Sequence, residues 1–118
     1  MAIAHEDMGG GLRCIVLTGR LDFHGVEEII EPLAALLATA GSNVLIDLTG
    51  ATLICSMGIR ALILNAKNLQ QRGGRMALVV DADSILAATL KSVGIDSLLP
   101  VYTSLLDAQK ALLKQLTE

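Results

Sequence analysis

Two stretches of the chain carry side chains able to do regulatory chemistry. The first is Cys55-Ser56-Met57-Gly58, and the second is Asp22-Phe23. An apolar strand ending in Asp47-Leu48-Thr49 precedes the first stretch, and the apolar-periodic Ile59 to Leu69 follows it. That pattern predicts a strand, a short apolar connection and then a helix opening at Ser56. A small hydroxyl at a helix start is commonly an N-cap. The same position suits an added phosphate, because unpaired N–H groups and the helix dipole favour negative charge there. Ser56 is therefore either a cap or a phosphoacceptor. Cys55 shares the helix start, where a thiol can become redox-sensitive, or it is simply a small packed residue. Arg60 stands one turn on, placed either to pair with a phosphate at Ser56 or to remain solvated. Asp22 reads as the cap of an earlier helix.

The helix after Ser56 has two apolar sides. At 100° per residue, Ile59, Leu62, Ala66 and Leu69 share one face, expected to meet the core. Met57, Ala61 and Leu64 fall nearly opposite. That second stripe, beside Ser56, is expected either to dock a partner or to be covered by the next helix or by a second copy of the chain.

These residues need a scaffold, and the chain length fits one: 118 residues suit a single domain, residues 1–118, with a sizeable core. Hydrophobic residues make up 53% and aromatics 2%, so the core is expected to be aliphatic. Net charge is −3. Without a basic stripe or an aromatic platform, nucleic-acid binding is not expected. Mean hydropathy is +0.60, yet no apolar run reaches the roughly 18 to 20 residues of a spanning helix, so direct membrane insertion is not expected. The first residues show no basic segment followed by an apolar one, hence no signal peptide is read. Cys14 and Cys55 form no CxxC, and two histidines, His5 and His24, offer no convincing metal site. A reducing cytoplasm and the absence of a cofactor are the corresponding expectations.

Along the chain, Ile3 to Met8, the Gly9-Gly10-Gly11 turn and Leu12 to Thr18 read as a hairpin. A helix is expected from about His24 to Ala40, with Pro32 either kinking it or marking its regular start. Asn43 to Leu48 reads as a buried strand. The helix from Ser56 ends at Arg72-Gly73-Gly74. Arg75 to Val80 is another strand, Asp83 or Ser84 caps a helix running to Val93, and Leu98 to Tyr102 is a last strand. Thr103 or Ser104 caps a final helix with Leu105, Ala108, Leu112 and Leu116 on one face. The order β-β-α-β-α-β-α-β-α predicts an α/β fold: a mixed, mostly parallel sheet of about five strands with about four helices.

Taken together, these landmarks resemble the STAS family, of the bacterial anti-sigma-factor antagonist type. The residues carrying the resemblance are Leu17-Thr18-Gly19-Arg20-Leu21-Asp22, Leu45-Ile46-Asp47-Leu48, Cys55-Ser56-Met57-Gly58-Ile59, Gly73-Gly74 before Met76-Ala77-Leu78-Val79, the Leu90 to Ile95 stretch and Tyr102-Thr103-Ser104. The family typically shows Asp-Ser-Ser/Thr-Gly, whose first Ser is phosphorylated. Here that residue corresponds to Ser56, with Cys55 in place of the Asp and Met57 in place of the second hydroxyl. The resemblance implies partner switching by a domain that is not an enzyme. The unphosphorylated protein would bind an anti-sigma factor that is also a serine kinase of the GHKL ATPase class, thereby releasing a sigma factor. Phosphorylation of Ser56 would break that complex, and a serine phosphatase would reset it. Asp22, Phe23, Cys55, Met57, Gly58, Arg60 and Leu64 would form the partner surface. The same family also supplies scaffold pieces of stress-signalling assemblies and accessory subunits of ABC-type lipid transporters, in which Ser56 would be only a cap.

Other chemistries fit poorly. A G-x-S-x-G nucleophile elbow lacks its first Gly, where Ile54 stands. No G-x-x-x-x-G-K-[ST] is present. A receiver domain would want an acidic pair after its first strand and a Lys after its last.

Overall fold

The computed structural model describes residues 2–41 and 43–117, with side chains as far as Leu113. Strand β1 (Ala2–Gly9) pairs antiparallel with β2 (Leu12–Leu21). The turn between them needs glycine, because Gly9, Gly10 and Gly11 all have positive φ, at 82°, 63° and 79°. Helix α1 (Phe23–Ala38) leads to β3 (Asn43–Asp47), then β4 (Ala51–Ile54) and helix α2 (Ser56–Gln71). Next come β5 (Arg75–Val79), α3 (Ile85–Ser92), a 3₁₀ turn (Ile95–Ser97), β6 (Val101–Tyr102) and α4 (Leu105–Thr117). The sheet order is β1-β2-β3-β5-β6, parallel from β2 onward, and β4 pairs with β2 off this path.

The layers follow from the two-residue period of strands. In β3, Val44 and Ile46 face one side and Leu45 the other; in β5, Met76 and Leu78 oppose Ala77 and Val79. The first side carries the larger core, where Val26, Ile29, Leu33 and Leu37 of α1 meet Leu62, Ala66 and Leu69 of α2 and Leu86 and Leu90 of α3. On the other side, Ala108 and Leu112 of α4 cover Cys14, Leu45, Ala77 and Val79. Burial there pushes the Cys14 thiol up to about 11, which keeps it protonated.

Four differences from the sequence reading have physical causes. The connection expected after Thr49 is strand β4, which continues parallel pairing along β2 where β3 stops. Val16 opposes Asp47 of β3, whereas Gly19 opposes Ala51 of β4. Helix α1 runs through Pro32, which lies on its exposed side, rather than starting near it. The last strand begins at Val101 instead of Leu98. The backbone of Leu98 and Leu99 donates to Ile95 O at 2.9 Å, closing the 3₁₀ turn, and Pro100 has no N–H to give. Leu105 is 38% exposed rather than part of the buried face of α4, and the Leu116 side chain lies outside the described residues.

The C-terminal ends of α1 and α2 are tied by Arg72, whose guanidinium donates to Leu37 O at 2.8 Å and Ala38 O at 3.4 Å. Because every parallel strand from β2 to β6, β4 included, runs the same way, the four helices all start near one pole of the sheet. That pole carries the residues singled out above.

Candidate functional site

Asp22 caps α1. Its Oδ1 accepts the Gly25 N–H at 2.9 Å, and its carbonyl accepts the Val26 N–H at 2.9 Å. The Gly25 N–H bond holds the carboxyl below the usual carboxylate range, and the nearby charges of Arg20 and His24 act in the same direction. A depressed folded-state pKa adds stability that is fully present above the unfolded value of about 3.9 and is lost below it, as pH falls through the lower folded-state value. Asp22→Asn should therefore keep the cap hydrogen bond, lower the neutral-pH melting temperature slightly by losing the carboxylate's charge-dependent contribution, and flatten the acid limb of the stability profile. Asp22→Ala should lose the cap bond as well and lower that temperature further. Thermal melts from pH 7 to pH 3 check this.

Asp22 reaches its position through a close backbone approach. A Cβ built on Gly25 would lie 2.0 Å from the carbonyl oxygen of Arg20. The first turn of α1 thus rests directly on the end of β2. Sequence reading passed over Gly25, although a glycine in a first helical turn, where it weakens the helix, was a signal for such contact.

The start of α2 is held against the same corner. The Cys55 N–H donates to Leu21 O at 2.9 Å. A Cβ on Gly58 would meet Ile54 Cγ1 at 2.8 Å and Val26 Cγ2 at 3.1 Å. Gly58 is therefore a packing residue that lets α2 approach α1 and β4, and it is buried. The Asp22-Phe23 and Cys55-Gly58 stretches become neighbours in this way.

Ser56 is not the N-cap. Cys55 holds that position, with extended backbone at φ −88° and ψ 170°, and makes no side-chain cap hydrogen bond. The first helical bond is Ile59 N–H to Cys55 O at 3.1 Å. Ser56 is the first helical residue and is exposed. The opening N–H groups of α2 thus have no intrahelical partner and no side-chain cap. An acidic residue at position 55 would supply one. Cys55→Asp is expected to raise stability by about 0.5–2 kcal/mol, measured by urea unfolding.

Around Ser56, Phe23 is 57% exposed and stacks edge-to-face on His24. Cys55 and Met57 are half-buried, and Met57 leans on the core. Arg60 is exposed one turn away, and Leu64 is 54% exposed on the next. The outward stripe is narrower than its helical spacing implies, because Ala61 is buried, while on the expected core face Ile59 is only half-buried. Helix α2 packs on α1 as well as on the sheet, so its buried arc is wider than one core direction accounts for. Among the described residues, no cluster of three or more His, Cys, Asp or Glu is placed to hold a metal. No helix of the described residues is long and apolar enough to cross a membrane.

A mixed sheet with all four helices opening at one pole, where an exposed serine stands at an uncapped helix start, defines an α/β module whose distinctive chemistry lies at a helix N-terminus. The chain belongs to the STAS domain family, whose model matches residues 7–108. Its fold is that of solved anti-sigma factor antagonists. One from Mycobacterium paratuberculosis superposes with a TM-score of 0.83 at 22% identity, covering 94% of this chain and 92% of that one. An anti-sigma-factor antagonist (STAS) domain protein from Planctomyces limnophilus gives 0.77 at 26% identity, covering 93% and 96%. The Bacillus protein SpoIIAA is similar in both its forms at 18% identity. The unphosphorylated form gives a TM-score of 0.73, covering 93% and 96%, and the phosphorylated form 0.67, covering 93% and 99%. No curated protein sequence matches the chain significantly.

Proposed function

We infer that this chain is an anti-sigma-factor antagonist working by partner switching, with residues 1–118 acting as one cytoplasmic binding domain that catalyses nothing itself. In the unphosphorylated state it binds an anti-sigma factor that is also a GHKL-class serine kinase, and a sigma factor is released to act in transcription. The kinase phosphorylates Ser56, the complex dissolves, and a serine phosphatase restores the starting state. The observation that carries this reading is the exposed Ser56 at an uncapped helix N-terminus, which the Cys55 N–H bond to Leu21 O ties to the strand end just before the exposed Phe23. A relative of the same fold, SpoIIAA, exists in phosphorylated and unphosphorylated forms. Phosphate brings about −1.5 to −2 charges at neutral pH. Against a partner surface without basic residues, burying that charge costs several kcal/mol.

The partner surface in this reading comprises Asp22, Phe23, Cys55, Met57, Arg60 and Leu64, with Gly58 setting the approach of the two helices. Leu64→Asp is expected to leave the fold intact, because its side chain lies largely in solvent, and to weaken partner binding about tenfold or more. Circular dichroism and a binding isotherm read the two effects. Unchanged binding would remove Leu64 from the surface.

The neighbours of Ser56 favour a second reading. Cys55 and Met57 replace the acidic and hydroxyl residues usual at these positions, so the domain could act as a constitutive scaffold of a stress-signalling assembly or as an accessory subunit of an ABC-type lipid transporter. A pull-down with wild type and Ser56→Asp, read by mass spectrometry, separates the two. Capture of a GHKL-type kinase by wild type alone supports switching. Capture of the same scaffold or transporter proteins by both supports the constitutive module.

A further inference from the structure

A hollow of about 390 Å³ lies between α3 and the ends of β5 and β6. None of its lining residues belongs to the partner surface assigned above, and its volume is within the range of small-ligand pockets. Local structure creates the space. The Val80 N–H donates to Tyr102 O at 2.9 Å, which joins the ends of β5 and β6 into one wall. Gly94, at φ 75°, turns the chain after α3 and returns Ile95 to the core. Over this wall α3 presents Ala87 and Ala88, whose methyl groups leave the gap unfilled.

The lining is apolar where it is deep and polar only at its rim. Val80, Leu90 and Ile95 are at most 3% exposed, and Ala87 and Val101 are half-buried. Lys91, Asp96 and Thr103 line the hollow from exposed positions. Lys91 and Asp96 are the two charged groups among the described lining residues, and their signs are opposite. The hollow therefore offers an ion no net counter-charge, while an ion seated on the apolar floor gives up hydration. A neutral apolar body gains the same burial without that cost. Size sets a second limit. A closed apolar cavity of about 150 Å³ takes one benzene. The larger hollow here, open on one side, has room for a bicyclic body.

We propose that this hollow binds a small neutral molecule whose apolar body is of bicyclic size. The body lies against Val80, Leu90 and Ile95, and any lone polar group of the ligand stays at the rim. The opposed charges of Lys91 and Asp96 make the site indifferent to the sign of a ligand ion. Removing either charge should therefore create a preference that the native site lacks.

The test is a ¹H–¹⁵N NMR titration of the full chain at neutral pH and low ionic strength with three probes sharing one ring system: tryptophol (neutral), tryptamine (cationic) and indole-3-acetate (anionic). Tryptophol is expected to bind tightest, by about threefold or more over either ion. It should shift the amides of Val80, Leu90 and Ile95 and leave those of Phe23 and Leu64 in place. Lys91→Gln should strengthen tryptamine about twofold to fivefold, and Asp96→Asn should do the same for indole-3-acetate. Tryptophol should stay within about twofold in both variants. Ala88→Trp fills the hollow and should abolish the shifts, with Ala87→Leu in its place if the tryptophan variant loses spectral dispersion. The proposal is overturned if tryptophol leaves those amides unshifted, if it shifts Phe23 and Leu64 as strongly, or if either ion binds as tightly. Tryptophol binding that follows a charge substitution, or that survives the filling of the hollow, overturns it as well.

Discussion

Gly25→Ala is expected to destabilise the domain by about 3 kcal/mol, the upper end of the range for overpacking. The added methyl would lie 2.0 Å from Arg20 O and 3.2 Å from Arg20 C. Both are backbone atoms of β2, and Arg20 is itself paired with Leu53 of β4. No rotamer change can relieve such a contact, so α1 must lift away from the sheet end. Lifting it displaces Val26, which is fully buried, and strains the Asp22 cap. The helix-propensity gain of Gly to Ala, about 1 kcal/mol, does not offset this. For a chain of this size the melting temperature should fall by about 15 °C.

Gly58→Ala provides the internal comparison. Its methyl would meet side-chain carbons, Ile54 Cγ1 at 2.8 Å and Val26 Cγ2 at 3.1 Å, which can shift by small rotations. A cost of about 1 kcal/mol is expected there once the propensity gain is included. If calorimetry shows Gly25→Ala no worse than Gly58→Ala, the close backbone approach does not position the site as described.

Much of this scaffold is legible in the residues, for reasons that are local. The three glycines of the first turn, the cap at Asp22 and the apolar period of α1 each state their structure within a few positions. Strand β4 is not legible in that way. Ala51–Ile54 is four residues long and immediately follows a turn, so it reads as a connection. Its pairing with the far half of β2 is a long-range fact that no local pattern reports. The site divides similarly. Its location at the start of α2 follows from the apolar period and from Gly58, but the cap assignment is off by one residue. Hydroxyl side chains cap helices and thiols rarely do, so the rule selects Ser56, whereas the backbone leaves extended geometry at Cys55. That one-residue shift bears on the chemistry. A serine used as a cap would have its oxygen turned to its own backbone, whereas Ser56 at the first helical position is exposed. The expected stripe of Met57, Ala61 and Leu64 reduces to Leu64 and part of Met57, because helical spacing alone does not reveal that α1 packs against α2.

Ser56→Asp is expected to have opposite effects on the domain and on its complex. Within the domain, the opening N–H groups of α2 lack a side-chain cap and no acidic residue lies in the first turn. A carboxylate at the first helical position interacts favourably with the helix dipole, by about 0.3–1 kcal/mol, and Arg60 follows one turn later. The melting temperature should stay level or rise by a few degrees. In the complex, the same carboxylate must be buried against a surface fitted to a neutral hydroxyl. With a penalty of several kcal/mol, affinity should fall by about 100-fold or more. Ser56→Asn, similar in size and uncharged, should stay within about threefold of wild type. Calorimetric titration of the captured partner with the three proteins, beside thermal melts of each, resolves the point. If Asn weakens binding as much as Asp, bulk at position 56 is responsible rather than charge, and phosphorylation would act by obstruction. If Asp binds as tightly as wild type, Ser56 does not face the partner, and the constitutive-module reading takes its place.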